Sequence, residues 1–279
     1  MKARPRTQTQ VAISNDGTRW FLLNASPDLR QQIIASADLA PAPGTRNSPI
    51  AAVVLTSADV DAVMGLLHIR EFHPLQIFAT TAVRRILTEE NSLFRVLNRS
   101  LPPVRWEHLS LDRLVPLIPP APAEKKIGLF CKAVSLNGAF PDYVSDSLRG
   151  SLAPEEAVIG LTIVSKEKKL FYAPHLPGTG DHWLRLVEES DMAILDGTFW
   201  KDDELNSVKK GSKTAREMGH LPLWGDRGLL RQPFRPSKTR RILIHINNTN
   251  PMLNEEGQEN RIAREANWEI AYDGMELAI

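Results

Sequence analysis

Cysteine is nearly missing from this chain: Cys131 is the one thiol in 279 residues. A single thiol excludes an internal disulfide framework and any zinc site built from several cysteines. A charge of one sign is missing too, since 34 Lys+Arg against 33 Asp+Glu leave +1. Without a basic excess nothing points to nucleic acid or to an anionic membrane. No apolar run approaches the roughly 20 residues of a membrane span. The opening Met1-Lys2-Ala3-Arg4 is basic but lacks the apolar core of a secretion signal. Neither a GxGxxG nor a phosphate-loop lysine occurs, so no nucleotide site is read. What is present, 42% hydrophobic and 24% charged residues, is the make-up of a soluble globular protein with room for one large core or two small ones. A cytoplasmic protein is expected.

Strand and helix signals alternate along the chain. Thr9–Ser14 alternates as a strand, Asn15-Asp16-Gly17 signals a hairpin turn, and Trp20–Leu23 should pair back. Asn24-Ala25-Ser26-Pro27-Asp28 reads as a helix start, capped by Ser26 or Asn24, with Pro27 at the first helical position. That helix should run through Ile33 and Ile34 to a loop at Pro41–Gly44. Ile50–Thr56 and Gln76–Ala79 are strands, and Thr81–Asn98 is an amphipathic helix with Val83, Ile86, Leu87, Leu93, Val96 and Leu97 inward. Prolines crowd Leu101–Pro122, which reads as an extended connector. Strands follow at Ile127–Ser135, Val158–Val164 and Leu170–Tyr172, then a helix over Asp181–Ser190. The expectation is an α/β chain, one domain over residues 1–279, with halves at about 1–100 and 124–279.

Chemistry concentrates where strands end. Arg241-Ile-Leu-Ile-His245-Ile-Asn-Asn-Thr-Asn-Pro251 is a buried strand that delivers one imidazole into an asparagine-rich loop. Asp191-Met-Ala-Ile-Leu-Asp196-Gly197 ends a second apolar strand in a carboxylate, and a buried carboxylate must be paired, hydrogen-bonded or metal-bound. After Ile50–Thr56 comes Ser57-Ala-Asp59-Val-Asp61. Its two carboxylates converge on a cation if they lie in a loop, or cap a helix and sit in its first turn. His220 precedes a break, and His175 lies between Pro174 and Pro177 in a strand-to-helix loop. The loop Asn137–Asp146, with Tyr143, reads as a substrate wall or lid. His68 and His73, flanking Glu71, read as surface residues, and Lys201–Glu204 as a solvated charge run. Asp59, Asp61, Asp196 and His245 together form a candidate metal constellation, with His220 as the acid/base group. Mixed Asp/His ligation suits iron, manganese or zinc.

The stretches Leu-Thr-Ser-Ala-Asp59-Val-Asp61-x-x-x-Gly65-Leu-Leu, Asp196-Gly-Thr-Phe-Trp200, Arg216-Glu-Met-Gly-His220 and His245-Ile-Asn-Asn-Thr-Asn-Pro251, in that order, resemble the pyrroloquinoline quinone biosynthesis protein B family. So do Lys2-Ala-Arg-Pro-Arg-Thr-Gln8 and Asn24-Ala-Ser-Pro-Asp-Leu-Arg30. The resemblance covers nearly the whole chain. It implies the metallo-β-lactamase superfamily and hence a four-layer αββα sandwich. It implies Asp61, Asp196 and His245 as metal-facing positions, Asp59 beside them, and His220 at the position of a catalytic histidine. It implies iron- and oxygen-dependent hydroxylation of the tyrosine of a Glu-Tyr precursor. The alternatives are a carrier of the quinone or its precursor and, last, a metal-dependent hydrolase of the superfamily.

Two departures shape the expectations. The family pattern has His after the aspartate that matches Asp61, and here that residue is Ala62, so metal affinity should fall and turnover be weakened or lost. The family's N-terminal Gly-rich strand and cysteine zinc module have no counterpart here, so no structural zinc is expected. A sheet edge should then stand open, with a homodimer as the way to cover it. The expected metal is iron, with zinc or manganese as alternatives. The expected ligand is a peptide-derived precursor or the quinone, shaped by His175 and Tyr143. A carrier of that tricarboxylate would need converging cations, for which Arg70, Arg84 and Arg216 are candidates. Neither nucleic acid nor membrane is an expected partner.

Overall fold

The structure is a computed structural model that describes residues 2–41, 48–69, 74–99, 104–119, 128–235 and 238–279. Arg70, Glu71, His73, the 42–44 part of the first loop and Pro102, Pro103, Pro120 and Pro122 lie outside the described residues. The chain divides into two compact units. One holds Thr7–Ile159 and Val164–Lys166, the other the residues through Arg6, Gly160–Ile163 and Glu167–Ile279.

In the first unit, β1 (Val11–Ile13) and β2 (Trp20–Leu23) pair antiparallel with Val11 opposite Leu23. Gly17 in their turn adopts φ +69°. The Asp16 carboxylate accepts the N–H groups of Thr18 and Arg19 at 2.9 Å each, which is how the Asn-Asp-Gly signal acts physically. β3 (Ile50–Val54), β4 (Gln76–Ala79) and β5 (Arg105–His108) continue the sheet in parallel, in the order β1-β2-β3-β4-β5. Every residue of β3 is buried, as its unbroken apolar run demands. β6 (Leu114–Pro116) and β7 (Leu129–Ser135) form an antiparallel pair. The connector expected over Leu101–Pro122 therefore contains two strands. Arg105–His108 is free of proline and bonds along β4, while Pro116 stands at the last position of a short strand, where a missing N–H is tolerated. Cys131 on β7 is buried, and burial pushes its thiol up to about 12, so it is inert packing.

The helices depart from expectation in two places. α1 (Leu29–Ala35) starts after Asp28, not at Pro27, and no side chain caps it. Ser26 donates its hydroxyl to Gln32 instead, Asp28 accepts the Gln8 N–H at 2.8 Å, and Asn24, at φ +66°, bonds Thr56. After α2 (Val60–Val63) and a 3₁₀ turn at Met64–His68 comes the larger departure. The helix expected over Thr81–Asn98 is three pieces: α3 (Thr81–Arg85), a π turn (Ile86–Glu90) and a 3₁₀ helix (Ser92–Arg99). Asn91 makes the break, since its side chain accepts the Leu93 N–H at 3.1 Å. With about three residues per turn beyond it, Phe94 and Leu97 share the buried face. Leu93 and Val96, expected inside, are 57% and 37% exposed.

Gly65 is fixed by contact. Its N–H donates to the Ala25 carbonyl at 2.9 Å, and the Ala25 N–H donates to the Ala62 carbonyl at 2.7 Å. A Cβ at residue 65 would lie 2.3 Å from the Ser26 carbonyl oxygen, a backbone atom that cannot swing away. Gly65→Ala is expected to lower stability by about 1–3 kcal/mol as an overpacking change. That is roughly 2–4 °C of Tm for each kcal/mol in a chain of this size class. A thermal melt checks it, and an unchanged Tm would mean that the two segments are not held together as described.

The first unit also contains α4 (Asp146–Arg149). β8 (Ile159–Ser165) gives residues to both units. The second unit adds β9 (Lys168–Ala173), α5 (Asp181–Glu188), β10 (Met192–Asp196), α6 (Glu204–Val208), β11 (Arg240–Ile244), α7 (Gln258–Glu265) and β12 (Trp268–Ile270). The strand order is β12-β11-β10-β9-β8, and β9 through β12 run parallel. Among the described residues no helix is long and apolar enough to cross a membrane.

Candidate metal centre

Three consecutive parallel strands bring their C-terminal ends together, the place where ligands bind in open α/β sheets. β9 ends at Ala173, two residues before His175; β10 ends at Asp196; β11 ends at Ile244, one residue before His245. Register puts Leu195 beside Ala173 and Asp196 beside Ile244. The chain turns sharply after β10 because Gly197 approaches β11 closely: its N–H donates to the Ile244 carbonyl at 2.7 Å, and a Cβ there would lie 3.0 Å from that oxygen. His245 takes φ +60°, a left-handed conformation that few non-glycine residues adopt and that asparagine, aspartate and histidine adopt most readily.

Asp196, His220 and His245 each offer a ligand atom, all within 4.8 Å of one another. Asp196 is fully buried. Its Oδ2 meets His220 Nδ1 at 2.7 Å and accepts the Leu176 N–H at 2.9 Å. Its Oδ1 accepts the Thr198 hydroxyl at 2.6 Å and the Thr198 N–H at 3.0 Å. Burial by itself raises a carboxyl's pKa, yet the charges of His220 and His245 and the hydrogen bonds from His220 and Thr198 prevail and hold Asp196 at about 2.

An ionised carboxylate only accepts, which fixes the protons around it. His220 must carry its proton on Nδ1, leaving Nε2 as the acceptor atom. Thr198 has one hydroxyl proton, and at 2.6 Å it goes to Asp196. The 2.7 Å contact between Thr198 Oγ1 and His245 Nδ1 then has His245 donating. Both imidazoles thus turn Nδ1–H inward and present Nε2 as the basic nitrogen. Metal-ligating histidines usually donate their other ring N–H to a protein oxygen in this way. Asp196 orients one ring directly and the other through Thr198.

Rings and loops hold this geometry. His220 stacks on His175 (centroids 4.4 Å, 17°) and on His245 (5.3 Å, 27°), with the edge of Phe199 at 5.8 Å. Asn250 donates its side-chain amide to the Gly197 and Thr198 carbonyls at 2.9 and 3.2 Å. Glu204, expected in a solvated charge run, is instead buried and braces the site's loops, accepting the Trp200 N–H at 2.6 Å and the Thr249 hydroxyl at 2.5 Å. Burial pushes its carboxyl up.

The other expected residues fall as follows. His175 sits against His220, in the second unit. Asp59, Asp61 and Tyr143 belong to the first unit. Asp59 accepts the Ser57 hydroxyl at 2.7 Å, and Asp61 lies in the first turn of α2. Tyr143 donates its hydroxyl to the Ala58 carbonyl at 2.5 Å, and burial, then the charges of Asp59 and Glu90, push its phenol up. The Arg149 guanidinium bonds the carbonyls of Phe140, Pro141 and Val144, so the loop around Tyr143 is braced from within. Ala62, where the resemblance implied a histidine, is buried. A cleft of about 510 Å³ opens among Lys201, Asp202, Trp224 and Arg227, and no member of the triad lines it. Sequence reasoning missed Thr198, whose signal was its place two residues after Asp196, and the Leu176 N–H, which has no signal in sequence at all.

The pattern of the Beta-lactamase superfamily domain matches residues 19–246. Coenzyme PQQ synthesis protein B of Xanthomonas oryzae pv. oryzae is 37% identical, over 99% of this chain and 89% of the relative. The chain belongs to the PQQ synthesis protein B family. The protein of that name from Methylorubrum extorquens is 35% identical, again over 99% and 89%. The crystal structure of Zn(2+)-bound PqqB from Methylobacterium extorquens matches with a TM-score of 0.87 at 34% identity, covering 99% of this chain and 89% of that one. The PQQ synthesis protein B fold is the metallo-β-lactamase fold, a metal-holding α/β architecture, as the resemblance implied. Of the six stretches that carried that resemblance, three in the second unit supply Asp196 with Thr198, His220 and His245.

Proposed function

We propose that this protein acts in pyrroloquinoline quinone synthesis as a metal-dependent oxygenase that hydroxylates the tyrosine ring of a Glu-Tyr precursor. The observation that carries the reading is the donor set: one carboxylate and two imidazoles whose ligand atoms lie within 4.8 Å of one another. Two imidazoles backed by a carboxylate are donor types that iron and zinc sites take, with the carboxylate here orienting the rings. The residues fit such an ion, since Nε2 of His220 and of His245 are the basic atoms and Asp196 supplies negative charge behind them. Bound there, iron would supply the one-electron and oxygen chemistry that side chains lack.

The chain's own residues would do the rest. His220 and His245 hold the ion, and Asp196 and Thr198 keep each ring's proton on Nδ1, so that neither ring turns its N–H toward the ion. Phe199, edge-on to His220, excludes water from that side. His175, stacked on His220, is proposed as a residue that shapes the pocket.

The test is to load the protein anaerobically with Fe(II), add a Glu-Tyr peptide, oxygen and ascorbate, which supplies the two electrons that take the second oxygen atom to water, and follow the peptide by mass. The expected result is a gain of one oxygen atom on the tyrosine ring, faster with an Ala62→His variant, which restores the family's residue. Peptide or quinone binding without turnover in either protein would favour the carrier instead. Hydrolysis without oxygen uptake would favour the hydrolase.

A further inference from the structure

We infer that His175 is a positioning residue that fixes the ring plane, and with it the tautomer, of His220. The inference rests on the reading of His220 as a group at the metal centre. His175 is seated from three sides. Its ring lies against His220 with centroids 4.4 Å apart and planes 17° apart. Its Nε2 occupies a notch that a side chain at residue 219 would fill, because a Cβ on Gly219 would lie 2.7 Å from it. Gly219 also has φ +80°, a conformation that side chains resist, so the notch and the turn require the same glycine. The next residue, Leu176, is clamped at both ends: its N–H donates to Asp196 Oδ2 at 2.9 Å, and its carbonyl accepts the Leu221 N–H at 2.7 Å. One short segment therefore touches the Asp196 carboxylate, the ring of His220 and the backbone just after His220.

The consequence is geometric. His220 can keep Nδ1 on Asp196 only in one ring orientation. His245 covers its other face more loosely, at 5.3 Å and 27°. Removing His175 opens the closer face and lets the ring turn about its Cβ–Cγ bond, which breaks the 2.7 Å contact with Asp196 and frees the tautomer. A flat ring at residue 175 is what this packing role needs.

The test uses the whole chain with ¹⁵N-labelled histidine. In the metal-free protein, His220 is expected to show the pattern of a single Nδ1–H tautomer. His175→Ala should move it toward a tautomer mixture, His175→Phe should restore the single pattern, and Gly219→Ala, which crowds His175, should disturb it. In a Co(II) titration, His175→Ala should weaken binding by about tenfold, the low end for loss of a group that orients a ligand, and His175→Phe should recover it. An unchanged His220 pattern in His175→Ala overturns the inference. So does a His175→Phe variant as disturbed as the alanine one, because His175 would then act through its own nitrogen. If the unaltered protein takes up no Co(II), the metal reading fails, and the metal-free nitrogen shifts still decide the role of His175.

Discussion

Asp196→Asn is expected to lower stability at neutral pH by about 2–5 kcal/mol and to weaken metal binding by at least about 100-fold. Four donors converge on the two carboxylate oxygens: Leu176 N–H, Thr198 N–H, the Thr198 hydroxyl and His220 Nδ1–H. An amide keeps one oxygen and replaces the other with NH₂, so two of these buried donors must face a third donor. Each buried donor left unsatisfied costs about 1–3 kcal/mol. The loss should also depend on pH in one direction. The carboxyl is held down from 3.8 to about 2 in the folded state, so Asp196 favours folding above its unfolded value, near 4, and that contribution fades as pH falls toward 2. A carboxyl held that far below its ordinary value adds about 2 kcal/mol to stability at neutral pH. Urea melts at pH 7 and near pH 2.5 should therefore show the gap between the two proteins narrowing with acid. A gap that is constant with pH would mean that Asp196 is not held as a buried carboxylate.

Thr198→Val should affect binding more than folding. The substitution keeps the shape and removes one oxygen, which both donates to Asp196 and accepts from His245. Without it the 2.7 Å contact that holds the proton of His245 on Nδ1 is lost, and a ring that turns its N–H toward the ion cannot ligate. Outer groups of this kind are worth about 10–100-fold in metal affinity, while the lost buried hydrogen bonds are worth about 1–3 kcal/mol. Thr198→Ser keeps the hydroxyl and should bind metal nearly as the unaltered chain does. Competitive metal titration of the three proteins checks this. A valine variant that binds as well as serine would leave Thr198 a packing residue and break the proposed link from Asp196 to His245.

Much of the scaffold was legible in the sequence, because strands buried on both faces read as apolar runs. Ile50–Val54, Gln76–Ala79, Met192–Asp196 and Arg240–Ile244 lie where those runs predict. Helices were harder. The Thr81–Asn98 pattern has a helical period throughout, but Asn91 carries a short polar side chain that competes for backbone N–H groups, and after it the chain changes its turn length. Glu204 was misread because its neighbours Lys201, Asp202 and Asp203 are charged. Its burial depends on Trp200 and on Thr249, 45 residues away. At the centre, the types and positions of Asp196, His220 and His245 were visible as lone polar residues at the ends of apolar stretches. Their division of labour was not, since it depends on which atom meets which. His220, expected as an acid/base group, offers a ligand atom within 4.8 Å of those of Asp196 and His245, and the Thr198 hydroxyl bridges Asp196 and His245.

The central claim is that the imidazoles of His220 and His245, oriented by Asp196 and Thr198, hold a metal ion. The most direct test counts metal in the purified chain after anaerobic Fe(II) loading and, in parallel, after Zn(II) loading, alongside His220→Ala, His245→Ala and the double variant. The account predicts a tightly held ion in the unaltered chain, weakened retention in each single variant and none in the double variant. An unaltered chain that holds no ion, or a double variant that keeps as much as the unaltered chain, would contradict it.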